Sequence, residues 1–197
     1  MPIPFGVKNA LRVASSMKKD LGSHFQPPRL ITPKKRDGIL NMQHVTSSTL
    51  PLQSALRDRI KPMDFIDCYS VEADLSPRHA AEIITDFPGW AQCLVAIRNI
   101  ITAPFGLLKE GPDTSDKVGF FPVESENNEE LIAGFNDKHL DFRVSVMSQN
   151  GRIFLATWVH TNHPAGKLYL ATILPFHMLI VRNALARVKA TNKMKQR

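Results

Sequence analysis

The dipeptide Asn150-Gly151 lies between two stretches in which apolar and polar residues alternate. Asn-Gly is the strongest short signal for a two-residue β-hairpin, because both central positions of a type I′ turn need positive φ. Such a turn fixes the register of the two strands, since the numbers of paired residues must then sum to 301. The apolar pairs that it predicts are Phe142 with Val159, Val144 with Thr157, and Val146 with Leu155.

A second two-residue turn, at Asp137-Lys138, predicts how the preceding strand pairs. The pairs that it gives are Phe135 with Leu140, Ala133 with Phe142, and Leu131 with Val144. Both turns place the apolar residues of three strands on the same face, and a slip of one residue would move them to the other face. The sequence therefore predicts an antiparallel meander with one apolar and one polar face.

Further elements flank this meander. Alternation predicts a first strand at about residues 64–72, and Ser76-Pro77 supplies the N-cap and first helical residue of a helix that runs to about residue 86. The remaining predicted elements are a short helix near residues 52–60, a second helix at about 90–102, and strands at 118–124, 130–136, 139–148 and 152–161.

A long apolar run follows the meander at residues 168–181, where the exceptions are Thr172, Pro175 and His177. It leaves no polar face for water, so we predict a core helix that other structure encloses. A membrane span needs about 20 apolar residues, and this run is shorter. Together the elements predict an α+β helix-grip fold, in which a curved antiparallel sheet wraps around a long C-terminal helix.

Charge and composition predict how the chain is organised. Residues 1–61 carry 11 basic and 3 acidic side chains, residues 62–181 carry 8 and 15, and residues 182–197 carry 6 and none. We interpret 1–61 as a basic, proline-containing extension, largely irregular with room for short helices, 62–190 as the helix-grip domain, and 191–197 as a basic tail. The first residues contain no secretory apolar run, which favours a cytoplasmic protein. Basic ends leave open, as an alternative, a weak peripheral contact with the inner membrane surface.

Two groups of residues are candidates for a functional site. On the polar face, Asp141 pairs with His160 and Arg143 with Trp158, beside His139. A carboxylate next to an imidazole can act as a general base, although such pairs on a solvent-facing sheet more often serve stability. With His177, the catalytic candidates are therefore Asp141, His160, Arg143 and His177.

The apolar layer carries a second group, because a ligand pocket is mostly apolar with a few polar groups. Its polar members are Asp67, Tyr69, Thr157, Thr172 and His177. The residues that we predict to contact a ligand are Tyr69, Phe142, Val144, Thr157, Val159 and Met178. The two cysteines, Cys68 and Cys93, have no disulfide or zinc spacing, and the sequence predicts neither a metal nor a cofactor.

Several separated blocks also resemble the bacterial domain-of-unknown-function family DUF2867. They are Arg98-Asn99, Gly106-Leu107, Phe121-Pro122-Val123, the run from His139 to Val146, Gly166 to Leu170, Pro175-Phe176-His177 and Ile180-Val181-Arg182. The resemblance covers about residues 62–188 and implies a START-like fold that holds an apolar ligand, without an established activity or catalytic residues. Some relatives join this domain to a nicotinamide-nucleotide-binding reductase domain. This sequence has no GxGxxG, so a nicotinamide-dependent reductase would be a separate partner.

Three functions remain open on the sequence. The first is binding of a small apolar or amphipathic molecule between sheet and helix. The second is a cyclase-like or hydrolase-like enzyme that uses Asp, His or Arg side chains, and the third is a peripheral protein that docks to a membrane or a partner through its basic ends. Specific nucleic-acid binding is not favoured, because the basic cluster Lys34-Lys35-Arg36 lacks interleaved aromatic residues.

The composition of residues 1–45 yields a prediction about folding. Five of these residues are prolines and ten are charged, and ordering such a segment costs about 1–2 kcal/mol of backbone entropy per residue without matching burial. A chain that begins near Thr46 is expected to keep its thermal midpoint within a few degrees of the full chain, as measured by circular dichroism. A large fall would show that the segment packs on the body.

Overall fold

An antiparallel sheet and one long C-terminal helix make up most of the computed structural model, which describes residues 44–89, 92, 114–137 and 140–195. The strands are β1 (Thr46–Ser47), β2 (Phe65–Glu72), β3 (Lys117–Val118), β4 (Phe121–Glu126), β5 (Glu130–Asn136), β6 (Leu140–Gln149) and β7 (Arg152–Thr161). The helices are a 3₁₀ turn at Ala55–Arg59, α1 (Pro77–Thr85) and α2 (Pro164–Lys195). In the described residues the sheet has the order β1-β2-β7-β6-β5-β4-β3, which agrees with the predicted α+β helix-grip fold.

The Asn150-Gly151 turn has the predicted geometry. Both residues have positive φ, 52° at Asn150 and 69° at Gly151. The β6–β7 register is confirmed, with Phe142 opposite Val159 and every further pair summing to the same value. The first strand is confirmed as β2, and it joins the meander by pairing antiparallel with β7.

The β5–β6 register differs from the predicted one by two residues. Phe135 lies opposite Phe142 rather than Leu140, and Ala133 lies opposite Val144. The Asp137 N–H donates to the Leu140 carbonyl at 3.0 Å, so the two strands remain hydrogen-bonded as far as Asp137. Because the shift is even, every side chain remains on its predicted face.

The first helix begins as its sequence predicts. The Ser76 hydroxyl accepts a hydrogen bond from the His79 N–H at 3.3 Å, and Pro77 occupies the first turn. The strand predicted at 118–124 is instead interrupted by a turn at Gly119, where φ is +59°. The helix predicted at 90–102 falls almost wholly outside the described residues, and His139 lies outside them too.

Helix α2 corrects the expectation that residues 168–181 form an enclosed core helix. Its buried apolar residues lie later, at Val181, Ala184, Leu185, Ala186 and Val188, whereas Leu168 is 73 % exposed. The reason is length: 32 residues of helix extend about 48 Å, and the 10 residues of β7 about 33 Å. The sheet therefore covers the second half of α2 and leaves much of the first half in solvent.

The apolar content of α2 has a second consequence. Residues 166–194 are long and apolar enough to cross a membrane by length and composition, and 17 % of their most apolar window is buried. Core helices of soluble proteins meet the same criterion.

The face predicted to be polar and solvent-facing is covered by residues 50–64. Its apolar cluster consists of Leu50, Leu56, Cys68, Ile132, Ala156 and Trp158. Arg143 and Ser145 on this face are 7 % and 1 % exposed, so the expectation of a solvated face is wrong. The apolar residues interspersed among its polar ones supply the surface on which the cover packs.

Glu130 attaches this cover to the sheet. Its carboxylate, in a residue 4 % exposed, accepts hydrogen bonds from the Ser54 hydroxyl at 2.5 Å, the Ala55 N–H at 2.8 Å and the Ser145 hydroxyl at 2.5 Å. The main core also contains Val45, which is 4 % exposed. A truncation that tests the dispensability of the N-terminal segment should therefore begin at His44 rather than at Thr46.

Glu130→Ala is expected to lower the free energy of unfolding by about 2–4 kcal/mol, because it leaves buried hydroxyl and N–H donors without their acceptor. The matched control is Glu129→Ala, since the neighbouring Glu129 is exposed. Urea denaturation of both variants measures the difference. Equal loss in the two variants would contradict a structural role for the Glu130 cluster.

Candidate functional site

A polar group lies on the inner face of the sheet, beneath the middle of α2. The His177 Nε2 atom lies 3.1 Å from Asp67 Oδ2, and the Phe65 ring meets the imidazole edge-on at 6.3 Å between centroids. The Asp67 and His177 side chains are 16 % and 21 % exposed. Helix and sheet thus meet at this point through a carboxylate and an imidazole.

Two polar atoms near this pair are buried without a hydrogen-bond partner among the described residues. They are Asp67 Oδ1, an acceptor, and Arg182 Nε, a donor. The Arg182 guanidinium lies over the Tyr69 ring, 5.7 Å from its centroid. Burial raises the pKa of Tyr69, the charge of Asp67 raises it further and the charge of Arg182 lowers it. We call Asp67, Tyr69, Thr157, His177 and Arg182 the inner polar site.

Cross-strand rows on the inner face become more open toward the start of β2. The closed row consists of Tyr69, Leu155, Val146 and Leu131, each at most 7 % exposed. The next rows consist of Asp67, Thr157 and Val144, and of Phe65, Val159 and Phe142. Phe65, Val144 and Phe142 in these rows are half-buried. These three residues are therefore less completely buried than the closed row, whereas Thr157 and Val159 in the same rows are buried.

A chain of phenylalanine rings continues from the open rows. Successive centroids lie 4.7 Å apart for Phe135 and Phe142, 5.6 Å for Phe142 and Phe121, 4.1 Å for Phe121 and Phe120, and 5.7 Å for Phe120 and Phe87. All except Phe135 are half-buried. An apolar wall with an adjoining polar site is the usual composition of a small-molecule site.

A second polar arrangement lies on the outer face and was not predicted. Asp64, whose side chain is 1 % exposed, has Oδ1 2.6 Å from His160 Nδ1. Its Oδ2 accepts from the Trp158 indole N–H at 2.7 Å and from the Lys61 N–H at 2.9 Å. Burial alone would raise the pKa of Asp64, but the hydrogen bonds from His160, Lys61 and Trp158 outweigh it and hold the pKa below its ordinary value. His160 also borders a depression of about 200 Å³.

Asp141, His160 and Arg143 have the predicted cross-strand neighbours, but their side chains contact other residues. Asp141 and His160 are cross-strand neighbours, yet His160 contacts Asp64, and Asp141 accepts from the Asn162 amide at 3.1 Å. Arg143 is bound to Glu124 and to the Phe142 carbonyl. The structure thus engages each of these side chains in a contact that the sequence did not show.

Most predicted ligand-contacting residues share the inner face, and one does not. Tyr69, Phe142, Val144, Thr157 and Val159 follow the sheet rows described above. Met178 lies on α2 and is 44 % exposed, so its contact with a ligand stays a prediction. Thr172 is exposed as well and donates to the Leu168 carbonyl at 2.9 Å.

Metal and thiol chemistry have no site in the described ranges. Among these residues, no group of three or more His, Cys, Asp or Glu side chains could hold a metal ion. Burial, with a smaller effect of Asp67, raises the pKa of Cys68 to about 12. The buried thiol is therefore protonated at neutral pH and is not a nucleophile.

Comparison with known protein families identifies the family to which the chain belongs. Residues 59–184, more than half of its length, match the model of a protein family of unknown function, DUF2867. The chain belongs to the DUF2867 family. No curated protein and no solved structure shows significant similarity to this DUF2867 protein, so the family supplies no activity for the site.

The Asp64 contacts predict a pH dependence of stability. A depressed pKa in the folded state adds stability above the unfolded pKa and loses it as the pH falls through the folded value. Asp64→Asn is expected to cost about 1–3 kcal/mol at pH 7, and less as the pH falls below about 4. Urea unfolding at pH 7 and at a pH below about 4 measures the cost of Asp64→Asn under each condition. Asp58→Asn is the control, because Asp58 is exposed. A cost that stays constant with pH would contradict the ionised role.

Proposed function

We propose that this DUF2867 protein binds a small amphipathic molecule between the sheet and α2. The observation that carries the proposal is the inner polar site, where Asp67 Oδ1 and Arg182 Nε are buried without partners among the described residues. Leaving a buried polar group unpaired costs about 1–3 kcal/mol, and a ligand polar group that pairs with it recovers this cost.

The chemistry of the two atoms favours a neutral polar group on the ligand. Asp67 Oδ1 accepts hydrogen bonds and Arg182 Nε donates them. A hydroxyl or an amide can do both, whereas a carboxylate would be repelled by Asp67. The apolar part of the ligand would lie on the chain of phenylalanine rings that begins at Phe135 and Phe142. Asp67 and Phe142 are two strands apart, about 10 Å, which sets the length of the molecule.

The neutral probe N-phenyl-1-naphthylamine tests the proposal, because it combines two aromatic rings with one N–H donor. Its fluorescence is expected to increase on binding with micromolar affinity, about −8 kcal/mol. Val144→Trp should fill the open row and weaken binding about tenfold or more. Leu52→Trp is the matched control, since Leu52 is 79 % exposed on the outer cover.

Competition between an alcohol and a carboxylate for the probe site measures which polar group the inner polar site prefers. Decanol is expected to displace the probe better than decanoate, and Asp67→Asn is expected to reduce this preference by removing the carboxylate charge. The proposal fails if the probe does not bind, or if Leu52→Trp weakens it as much as Val144→Trp. An unchanged alcohol preference in Asp67→Asn would remove Asp67 from the site.

A further inference from the structure

The Asp64–His160 pair on the outer face has the geometry of a general base and the carboxylate that orients it. Asp64 Oδ1 lies 2.6 Å from His160 Nδ1. The Trp158 indole N–H and the Lys61 N–H donate to Asp64 Oδ2, and such bonds favour the ionised carboxylate. An ionised carboxylate only accepts hydrogen bonds, so Nδ1 carries the proton and Nε2 of the neutral imidazole is an acceptor.

The exposed edge of this imidazole carries Nε2. The His160 side chain is 32 % exposed, whereas the Asp64 side chain that binds Nδ1 is 1 % exposed. The exposed part of the ring is therefore the edge away from Nδ1. The Trp158 ring stacks beside the imidazole, with 6.4 Å between centroids and 16° between planes, and restrains its orientation. Nε2 forms no hydrogen bond with any described residue, so it is available to a bound molecule.

His160 borders the depression of about 200 Å³ at the junction of cover and sheet. Besides His160, its lining includes Asp58, Arg59 and Lys61 from the cover and Asn136 and Asp141 from the ends of β5 and β6. Sites for drug-sized ligands measure roughly 300–1,000 Å³, so this depression fits a smaller molecule. Its polar lining favours a polar molecule over an apolar one.

Lys61 supplies a positive charge beside the imidazole. Arg59 is bound to Glu124, whereas Lys61 is exposed and forms no ion pair with a described residue. The Lys61 N–H donates to Asp64 at 2.9 Å, which holds Lys61 next to the Asp64–His160 pair. A cation near a reacting carbonyl stabilises the negative charge that develops on its oxygen. A base and a cation are the two groups that hydrolysis of an ester by water requires.

We propose that the outer depression hydrolyses small polar esters, with His160 as the general base. Nε2 removes a proton from a water molecule while the water oxygen adds to the ester carbonyl carbon, and the negative charge on the carbonyl oxygen is stabilised by Lys61. The bond from this carbon to the leaving oxygen then breaks. The protonated imidazole gives its proton to the leaving alkoxide, so the products are a carboxylic acid and an alcohol.

Asp64 acts in this reaction through His160. It stays ionised and keeps the imidazole in the tautomer whose Nε2 is free, which makes it a positioning residue. The site lies on the opposite face of the sheet from the inner polar site and does not depend on ligand binding there. The two sites can therefore be tested separately.

Hydrolysis of p-nitrophenyl acetate by the full chain tests the proposal, because the nitrophenolate that leaves is followed by its absorbance. The full chain is expected to hydrolyse it faster than buffer alone, at a rate that rises with pH as the imidazole loses its proton. His160→Gln should lower kcat/KM about tenfold or more and remove this pH dependence, since general-base catalysis contributes about 100–10,000-fold. His79→Gln is the matched control, because His79 is an exposed histidine on α1, and it should leave the rate unchanged.

Two further variants separate catalysis from folding. Lys61→Met changes an exposed side chain, so it should keep the thermal midpoint and lower kcat/KM about tenfold. Asp64→Asn, assayed at a temperature at which circular dichroism shows it folded, should lower kcat with little change in KM, because the imidazole is no longer held in one tautomer.

The proposal is overturned if the full chain does not accelerate hydrolysis, or if His160→Gln or Lys61→Met keeps the full rate. An unchanged kcat in Asp64→Asn would overturn the positioning role of Asp64. Mass spectrometry that finds an acetyl group on His160 would show direct attack by Nε2 and overturn the activation of water. Inhibition by decanol, at concentrations that displace the fluorescent probe, would assign the hydrolysis to the inner polar site instead.

Discussion

The hydrogen bonds to Glu130 attach the N-terminal cover to the outer face of the sheet. One carboxylate accepts from Ser54 and Ala55 in the N-terminal cover and from Ser145 on the neighbouring strand. Because the cover is held there, the outer face of the sheet is buried as the inner face is, and its polar side chains need partners within the protein. Arg143 bound to Glu124, and His160 bound to Asp64, are consequences of this burial.

Two features of the fold could be predicted from the sequence. They are the hairpin that local turn chemistry determines and the face of the sheet on which each side chain lies. Asn150-Gly151 fixed one register, and an error of two residues in the next hairpin left every side chain on its face. Asp64 could not be found in this way. It joins Trp158 and His160 through the pairing of β2 with β7, strands far apart in the chain that no turn connects. The signal that was available is Trp158 itself, a large apolar residue on a face expected to be polar.

The apolar run of α2 could be recognised, but its environment could not. Composition shows that residues avoid water, and it does not show whether protein or another apolar phase covers them. The outcome depends on the length of the helix relative to the strands. Within one turn, His177 therefore faces Asp67, while Met178 and Leu179 are exposed.

The two outermost strands of the described sheet, Thr46–Ser47 and Lys117–Val118, contain two residues each. Long flat edges attract strands of other molecules, because their backbone groups are free to pair, and short or charged edges limit this. The longest strands, β6 and β7, lie at the centre of the sheet, where both neighbours occupy their backbone groups. The described sheet thus has its shortest strands at both edges, which limits pairing with strands of other copies of the protein.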